Sequence, residues 1–403
     1  MSTLSERILG AAAGEYVDRK VNRAYAHDGT GVLALEAWKN MGGDRLGKDT
    51  DYHIQFDHIA PANNSTTATL QHDLRGFAKR ASMQFSDIGC GICHQLMGEG
   101  VVLPGEIVVG ADSHSVTLGA FGAFATGVGA TDMASIWLTG ETWFRVPESI
   151  GIHLTGRFTG AAEAKDLALA YVGKLGTDGA TYQALEFVGE GAHYLSMDER
   201  LVLSNLSVEA GSKAGLFYAD DVTIRFLKEH GHDVASQEAA SCTYRQEVDF
   251  DLSDVVPLVA IPHRVDTIKP VDAVAGVPID QVFVGTCTNG RYSDLARFAR
   301  IVKGKKVAIR TIVVPASATI LEKAIRTGVL ADIIGAGCTI GTPGCGPCLG
   351  YHMGVLGEGE VCLSTANRNF KNRMGVGGEI YLGSVATAAA SALKGEITSP
   401  EVG

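Results

Sequence analysis

The sequence VFVGTCTNGRYSDL, residues 282–295, decides the fold. Its first three residues, Val282–Val284, form an apolar run typical of a buried strand, and Tyr292–Val302 has the apolar spacing of a helix. A strand, a loop and a helix in this order predict an α/β unit built on a parallel sheet. Ligands bind beyond the carboxyl ends of the strands in such sheets, so Cys287 lies where a functional residue is expected.

The same alternation continues along the chain. Glu106–Val109 predicts a second buried strand that leads into GADSHS, and Val307–Val314 predicts a third that stops at Pro315. Ile320–Ile334 has the spacing of one helix. We therefore predict an α/β fold with mostly parallel sheets.

The chain of 403 residues exceeds the usual size of one domain. Composition shifts near residues 148 and 254 predict three α/β domains. The first, 1–147, carries the His and Asp loops; the second, 148–254, carries a polar helix; the third, 255–403, carries the cysteines and arginines discussed below.

The formal net charge of −11 makes a phosphate-backbone partner unexpected, although local arginines still permit a small anionic substrate. The N-terminal sequence MSTLSERILGAAAG lacks a secretory pattern, and no apolar run is long enough to span a bilayer. We expect a cytoplasmic protein that binds neither nucleic acid nor membrane. In that compartment, its eight cysteines are expected to be reduced thiols or metal ligands.

Three of these cysteines form a pattern. Cys345 and Cys348 lie in GTPGCGPCLG, and a Cys-x-x-Cys loop presents two thiolates to neighbouring metals. Cys287 can supply a third thiolate from its strand-end loop. Three thiolates without an obvious fourth suit an iron–sulfur cluster that leaves one iron open to a substrate.

Other metal sites remain as alternatives. A structural zinc would want a fourth ligand, and the candidates Cys338 and Cys362 both lie in apolar stretches. The sequence CGICH, Cys90–His94, matches the spacing of c-type haem attachment, which normally needs export. Cys242 has no ligand-like neighbour.

Two short motifs place carboxylates beside imidazoles. FDHIAPA contains Asp57 next to His58, and GADSH contains Asp112 two positions before His114. A carboxylate that accepts an imidazole N–H fixes the tautomer and raises the basicity of the ring. Adjacent side chains on a strand point to opposite faces, so these neighbours need not be each other's partners.

A further polar pair, Asn205 and Glu209 in SNLSVEAG, is spaced by four residues, so a helix would place both on one face. The pair could line a functional site or simply form a solvated polar face.

Six blocks of this sequence, in this order, resemble those of the aconitase superfamily: FDHIAPA, CHQLMGEGVVLPGE, GADSH, VGTCTNGRYSDL, GCGPCLG and STANRNFKNRMG. The similarity runs from about Val21 to the C-terminus and is greatest to the large subunit of the two-subunit isopropylmalate isomerase and homoaconitase group. The resemblance implies one [4Fe–4S] cluster per chain, held by Cys287, Cys345 and Cys348, with one open iron. It also implies three α/β domains without the swivelling fourth domain.

The resemblance also implies roles for the acid–base groups. His58 is expected to donate a proton to the leaving hydroxyl, with support from Asp57. The further expected pairs are Asp112 with His94, and Glu209 with His114.

For substrate binding, the resemblance implies that Arg368 and Arg373 hold carboxylates, because Arg binds them through two parallel hydrogen bonds. Ser113 is expected to assist them. His27 falls where related aconitases carry a substrate-contacting Gln, so here the chain departs from the family pattern. Beside the cluster, the resemblance places Asn205, Asn289 and Asn367.

The implied activity is that of a hydro-lyase that dehydrates and rehydrates a malate-type hydroxy acid. Isopropylmalate, in leucine biosynthesis, is the first expectation, and homoaconitate or citrate chemistry is the second. The family's C–H base lies on the swivelling domain, so we expect a separate small subunit to supply it in a heterodimer or heterotetramer. Two other classes stay open: an RNA-binding relative, which the charge disfavours, and a zinc-bearing structural protein.

Overall fold

Three larger sheets and one two-stranded antiparallel sheet organise the chain in the computed structural model, which describes residues 2–238 and 242–401. The strands are β1 Tyr16–Lys20, β2 Arg23–His27, β3 Asp51–Gln55, β4 Gln84–Ser86, β5 Ile107–Gly110, β6 Phe124–Gly127, β7 Glu141–Arg145, β8 Ser149–Thr155, β9 Ala184–Val188, β10 Ala214–Phe217, β11 Gln246–Asp251, β12 Leu258–Ala260, β13 Ile268–Pro270, β14 Gln281–Val284, β15 Arg310–Val313, β16 Thr339–Ile340, β17 Val361–Ser364 and β18 Glu379–Gly383.

The helices lie between these strands. They are α1 Leu4–Leu9, α2 Gly31–Asn40, α3 Ser65–Arg80, α4 Cys93–Gly98, α5 Ala130–Thr139, α6 Ala164–Leu175, α7 Met197–Leu206, α8 Asp221–Glu229, α9 Thr286–Asn289, α10 Tyr292–Val302, α11 Ala318–Arg326, α12 Val329–Gly335 and α13 Val385–Lys394. Short 3₁₀ segments follow several strands and helices; those that matter for the site are Ser113–Phe121, Ser207–Ala210 and Gly346–Leu349. No helix in the described ranges is long and apolar enough to cross a membrane.

The sheets are mostly parallel. The first has the strand order β4-β3-β2-β5-β6 and the second β10-β9-β8-β11, and every pair in both is parallel. The third has the order β13-β12-β18-β17-β14-β15-β16, in which only β12 pairs antiparallel with its two neighbours. The α/β prediction is confirmed. The strands of each sheet fall inside one predicted segment, while the exact domain boundaries stay a prediction.

Burial explains the apolar runs in the sequence. All four residues of β5 and all four of β14 are buried, because helices cover both faces of these parallel sheets. β14 lies within the third sheet and pairs with β15 and β17 on its two sides. The loops that leave such strands start from fixed positions, which suits them to carry a site.

Local predictions differ in accuracy. The helix predicted over Tyr292–Val302 is present with those bounds as α10. The single helix predicted over Ile320–Ile334 is wrong, because α11 ends at Arg326 and α12 begins at Val329. Gly328 between them has φ +79°, a left-handed conformation that interrupts a helix and that glycine adopts without strain.

Candidate active site

The carboxyl ends of five strands from two sheets meet at one cavity of about 370 Å³. His27 ends β2, while His58 and Asp112 lie in the loops that follow β3 and β5. Cys287 and Asn367 lie just beyond β14 and β17 of the third sheet. All five residues line the cavity, so the first and third sheets build it together.

Backbone geometry fixes Cys287. The preceding residues Gly285 and Thr286 have φ values of +156° and +72°, which turn the chain sharply out of β14. The Arg291 guanidinium is buried and donates to the carbonyl oxygens of Cys287 at 2.7 Å and Thr288 at 2.6 Å. Arg291 therefore caps the short helix α9, as a structural rather than a substrate-binding residue.

The Cys345 and Cys348 loop is built against the loop of the first sheet. The backbone N–H of Cys345 donates to the carbonyl oxygen of Asp57 at 2.8 Å. A Cβ atom on Gly344 would lie 3.0 Å from the same oxygen, and the φ of Gly344 is +156°. Glycine is therefore required here by both space and conformation. The close approach brings these thiols to the same cavity as His58.

The donor set fits an iron–sulfur cluster. Cys287, Cys345 and Cys348 are all buried and line one cavity. The Nδ2 atoms of Asn205 and Asn367 donate to the Sγ of Cys287 at 3.1 and 3.5 Å, contacts that favour a thiolate. Burial raises the pKa of Cys287 to about 12, so the free thiol keeps its proton near neutral pH and metal binding would displace it.

A zinc site of four thiols is not formed by the described residues. Cys362 lies within β17 and packs near the Gln281 side chain at 3.8 Å, and Cys338 precedes β16. Neither lines the cavity. Cys242 is partly buried, and it too is absent from the cavity wall.

One carboxylate, Asp112, lies at the centre of four imidazoles. Its Oδ1 lies 2.9 Å from the Nε2 of His94 and accepts the backbone N–H of His114 at 2.7 Å. Its Oδ2 lies 3.6 Å from the Nε2 atoms of both His27 and His58. Burial opposes the charge, but these imidazoles and hydrogen bonds hold the pKa of Asp112 well below its usual range.

His58 and its neighbour Asp57 are direct partners, with 2.7 Å between Nδ1 and Oδ1. The chain has left β3 at this point, so strand alternation no longer separates the two side chains. Burial lowers the pKa of His58, but Asp57, Cys345 and Asp112 together outweigh it and raise that pKa well above its usual value. The His27 ring stacks on His58 with 3.6 Å between centroids.

Asp28 shapes this loop, although no motif in the sequence indicates its role. Its carboxylate accepts the backbone N–H groups of Asp57, His58 and Ile59 at 2.8–3.1 Å, and it also accepts the Nε2–H of Gln71. Asp28 is buried at the end of β2. It therefore positions His58 through the backbone.

Glu209 connects His114 to Arg368. Its Oε1 lies 2.8 Å from the Nε2 of His114 and accepts the Nε–H of Arg368 at 2.8 Å. Burial raises the pKa of Glu209, but these two partners hold it below its usual range. Arg368 also donates from Nη2 to Ser113 at 3.0 Å, so two of its donors are already used within the protein.

The prediction that Asn205 and Glu209 share one helix face is wrong. α7 ends at Leu206, and Glu209 lies in the 3₁₀ segment Ser207–Ala210 that follows it. The tighter turn changes the angular offset between the two residues. Asn205 contacts Cys287 and Glu209 contacts His114, so they serve different walls of the site.

Arg373 differs from Arg368 in its hydrogen bonding. It lines the cavity, and its Nη2 lies 3.8 Å from the Sγ of Cys348. Its Nε is buried and has no hydrogen-bond partner in the part of the chain that is described. A buried donor of this kind is suited to an incoming carboxylate.

His94 is engaged through both ring nitrogens. Its Nδ1 lies 2.7 Å from the hydroxyl of Tyr25, a buried residue of β2 that the sequence analysis missed. Burial raises the pKa of Tyr25 well above its usual value, so the hydroxyl stays protonated. The adjacent Cys93 is fully buried at the start of α4, an arrangement that does not suit covalent haem attachment through CGICH.

Asn289 does not line the main cavity. Its Nδ2 donates to the Oδ1 of Asp294 at 3.0 Å, and both residues line a second cavity of about 300 Å³ behind α9. Lys165 lines that second cavity as well, and burial lowers its pKa to about 7. The predicted place of Asn289 beside the cluster is therefore not supported by the direction of its side chain.

Known proteins are similar to this chain in sequence. A profile of the aconitase family (aconitate hydratase) matches residues 5–276 and 265–395. A probable methanogen homoaconitase large subunit of Methanosarcina mazei is 53% identical over 94% of this chain and 98% of its own length. A 3-isopropylmalate dehydratase large subunit of Archaeoglobus fulgidus is 44% identical over 99% and 98%.

The fold has a counterpart among solved structures. The holo-form of aconitase X from Thermococcus kodakaraensis superposes with a TM-score of 0.52 at 11% identity, over 87% of this chain and 84% of that one. Together these findings define a hydro-lyase. The chain belongs to the aconitase family.

Proposed function

We propose that this chain is the cluster-bearing large subunit of a hydro-lyase that isomerises a malate-type hydroxy acid by dehydration and rehydration. The observation that carries the proposal is the shared cavity, in which three buried thiols face imidazoles held by Asp57, Asp112 and Glu209. Cys287, Cys345 and Cys348 would hold a [4Fe–4S] cluster. When bound, that cluster supplies an iron without a thiolate ligand, a Lewis acid for a substrate hydroxyl and carboxylate.

The protein's own groups account for the remaining chemistry on this side of the cavity. His58 donates the proton that converts the leaving hydroxyl into water, and Asp57 fixes its ring and stabilises its charged form. Arg373 binds a substrate carboxylate through its free Nε–H and a neighbouring N–H. Arg368, tied to Glu209 and Ser113 through two of its five N–H donors, lines the same cavity and contributes its charge there.

Two substrates fit this chemistry. 2-Isopropylmalate, isomerised to 3-isopropylmalate, is supported by relatives at 42–44% identity that carry the dehydratase name. Homoaconitate hydration is the second candidate, favoured by the 53% identity to the Methanosarcina mazei protein and by a further 44% relative from Methanocaldococcus jannaschii. 2-Isopropylmalate, and the hydrated form of homoaconitate, carry carboxylates near a hydroxyl, and Arg368 and Arg373 in the cavity lining suit such carboxylates.

A small subunit completes the site in this proposal. The relatives are named large subunits, which implies a partner. Exposed apolar side chains lie on the two segments that contribute Tyr351 and Arg373 to the cavity lining: Tyr351 is 56%, Phe370 48% and Val376 80% exposed. The two segments run side by side, with the Leu356 N–H donating to the Met374 carbonyl at 2.8 Å. We place the small subunit on this rim, where it would bring the base for the C–H proton.

The test is a substrate panel after anaerobic reconstitution of the cluster. The chain is assayed with 2-isopropylmalate, homocitrate and citrate, alone and with a candidate small subunit from the same organism. Activity on one substrate that saturates near an equimolar ratio supports the proposal. Full activity of the verified chain alone would contradict the two-subunit assignment, and cluster binding without turnover of any of the three acids would contradict the substrate class.

The docking face can be tested with one matched pair of variants. Val376→Asp places a charge on the rim, whereas Val256→Asp places it at a half-exposed apolar residue outside both rim segments. The small-subunit concentration for half-maximal activity should rise by about tenfold or more in the first variant and stay unchanged in the second. Equal behaviour of the two variants would remove the rim from the proposal.

A further inference from the structure

A buried lysine contacts the strand-end turn that carries Asn367 and Arg368. Lys165 lies in the first turn of α6, and its side chain is fully buried. Its Nζ donates to the carbonyl oxygen of Thr365 at 2.7 Å and to that of Ala366 at 2.6 Å. These carbonyls immediately follow β17 of the third sheet. The helix α6, which follows β8 of the second sheet, therefore holds a turn of the third sheet.

The position of this lysine is energetically unfavourable by itself. A cation in the first turn of a helix opposes the helix dipole, and a buried ammonium loses its hydration. No carboxylate oxygen of residues 2–238 and 242–401 lies within 4.0 Å of its Nζ, so Lys165 is not part of a salt bridge there. Its hydrogen-bond partners in these ranges are the two backbone carbonyls. This indicates that Lys165 serves to hold the Thr365–Ala366 turn.

Two neighbours of Lys165 fix the start of α6 against the third sheet. The Glu163 carboxylate accepts the N–H groups of Val385 and Ala386 at 3.0 and 3.3 Å, at the beginning of α13. Asp166 accepts the N–H of Leu258 at 2.9 Å. Because these contacts hold the backbone on both sides of Lys165, the ammonium starts from a fixed place.

The turn that Lys165 holds orients two side chains of the cavity. Asn367 donates to the Sγ of Cys287 at 3.5 Å, and its Oδ1 lies 3.9 Å from the Sγ of Cys348. Arg368 contacts Glu209 and Ser113. A displacement of the turn would therefore move a thiol contact and a cationic wall of the cavity at the same time.

We propose that Lys165 is a positioning residue of the active site, which clamps the Thr365–Ala366 turn and so holds Asn367 against the thiols and Arg368 at the substrate cavity. The proposal rests on the proposed function for the role of the cavity. The clamp itself is a property of the protein without cluster or substrate, which allows the two to be tested apart.

The experiment compares Lys165→Met with Lys174→Met, which removes an exposed ammonium from the other end of the same helix. Amide hydrogen exchange is measured on the cluster-free proteins. The N–H groups of Thr365 and Ala366 bond to the Phe283 carbonyl and the Ser364 hydroxyl, so both should be protected in the unmodified chain. Exchange at residues 365–368 should become faster by about tenfold or more in Lys165→Met alone, because two charge-assisted hydrogen bonds are lost.

A second readout uses the reconstituted complex. The electron paramagnetic resonance spectrum of the one-electron-reduced cluster should change in Lys165→Met, and KM should rise by about tenfold with a smaller fall in kcat, since Arg368 is displaced. Lys165→Arg keeps the charge but carries a bulkier planar group. Its spectrum and its KM should therefore lie between those of the unmodified chain and those of Lys165→Met. Lys174→Met serves as the control here as well: it should leave the spectrum and KM unchanged.

The outcomes separate the proposals. Unchanged exchange at residues 365–368 in Lys165→Met, or an increase spread evenly over the chain, would overturn the clamp. If the methionine variant aggregates, Lys165→Leu, which also lacks a donor, is measured in its place under the same criteria. A chain that turns over no hydroxy acid would overturn the proposed function, whereas the exchange result on the cluster-free protein would still decide the clamp.

Discussion

The two halves of the cavity are built in different ways. On the side of the third sheet, backbone conformation places the thiols: positive φ angles at Thr286 and Gly344, and a guanidinium that caps carbonyls. On the side of the first sheet, side chains hold side chains, with Asp112 at the centre. The backbone on the first of these sides fixes the positions of the three thiols. The side-chain network on the other side sets the protonation states of the imidazoles and carboxylates.

This difference predicts how each half fails. A thiol has no substitute of the same softness among the other side chains, so one change should remove the cluster altogether. A hydrogen-bonded imidazole network loses one contact at a time and should fail by degrees. Substitutions on the two sides should therefore separate loss of the metal centre from loss of proton transfer.

The largest effect is expected for Cys345→Ser. A serine hydroxyl does not replace a thiolate ligand, so the four-iron form and its broad visible absorption should disappear, and activity with them. Iron and sulfide analysis of the anaerobic protein measures this directly. Cys242→Ser, at a thiol away from the cavity wall, should keep full iron content. A complete four-iron cluster in Cys345→Ser would remove that thiol from the ligand set.

His58→Gln should have the next largest effect, and of a different kind. Loss of a general acid lowers kcat by about 10²–10⁴-fold, while KM changes less. The cluster should remain, because His58 is held by Asp57 and contributes no thiol. Steady-state kinetics together with the visible spectrum check both parts. Loss of the cluster in this variant would mean that the two halves are not separable as described.

The sequence predicted the two halves unequally. The cysteines and the Asp–His motifs could be found because each lies in a short stretch whose spacing is itself informative. Tyr25 and Lys165 could not, since their partners are 69 and 200 positions away along the chain. Each also looks like an ordinary residue of its element, a strand tyrosine and a helix lysine.

The fold shows the same limit. Periodicity was sufficient for α10, because four apolar side chains define its buried face. It failed at Gly328, where one residue in a left-handed conformation divides a continuous apolar pattern into two helices. It also failed between Asn205 and Glu209, where the helix tightens into a 3₁₀ turn without a change in polarity pattern. Conformation at single residues, rather than pattern, decided these cases.

Arg373→Lys should give a third, smaller effect that sharpens the division. The charge persists, but the planar donor pair does not, so KM should rise by about tenfold or more with little change in kcat. Arg368→Lys is the matched comparison. It should also loosen the Glu209 side chain, because the Arg368 guanidinium that donates to its carboxylate is removed. If both variants raise KM equally without further change, the free Nε of Arg373 has no special role in binding.

The smallest effect is expected for Tyr25→Phe, which removes one buried hydroxyl from the imidazole side. The Nδ1 of His94 then loses its 2.7 Å partner, but its Nε2 keeps Asp112 at 2.9 Å. Stability should fall by about 1–2 kcal/mol because a buried polar atom is left without a partner, and kcat by less than about tenfold. Tyr52→Phe removes a buried hydroxyl from the neighbouring strand β3, where it donates to the Ile136 carbonyl at 3.2 Å. Thermal unfolding and kinetics of the two variants distinguish the roles. If both lose similar stability and kcat changes in Tyr25→Phe alone, Tyr25 acts through His94. Equal kcat values in the two variants would reduce Tyr25 to a packing residue of the first sheet.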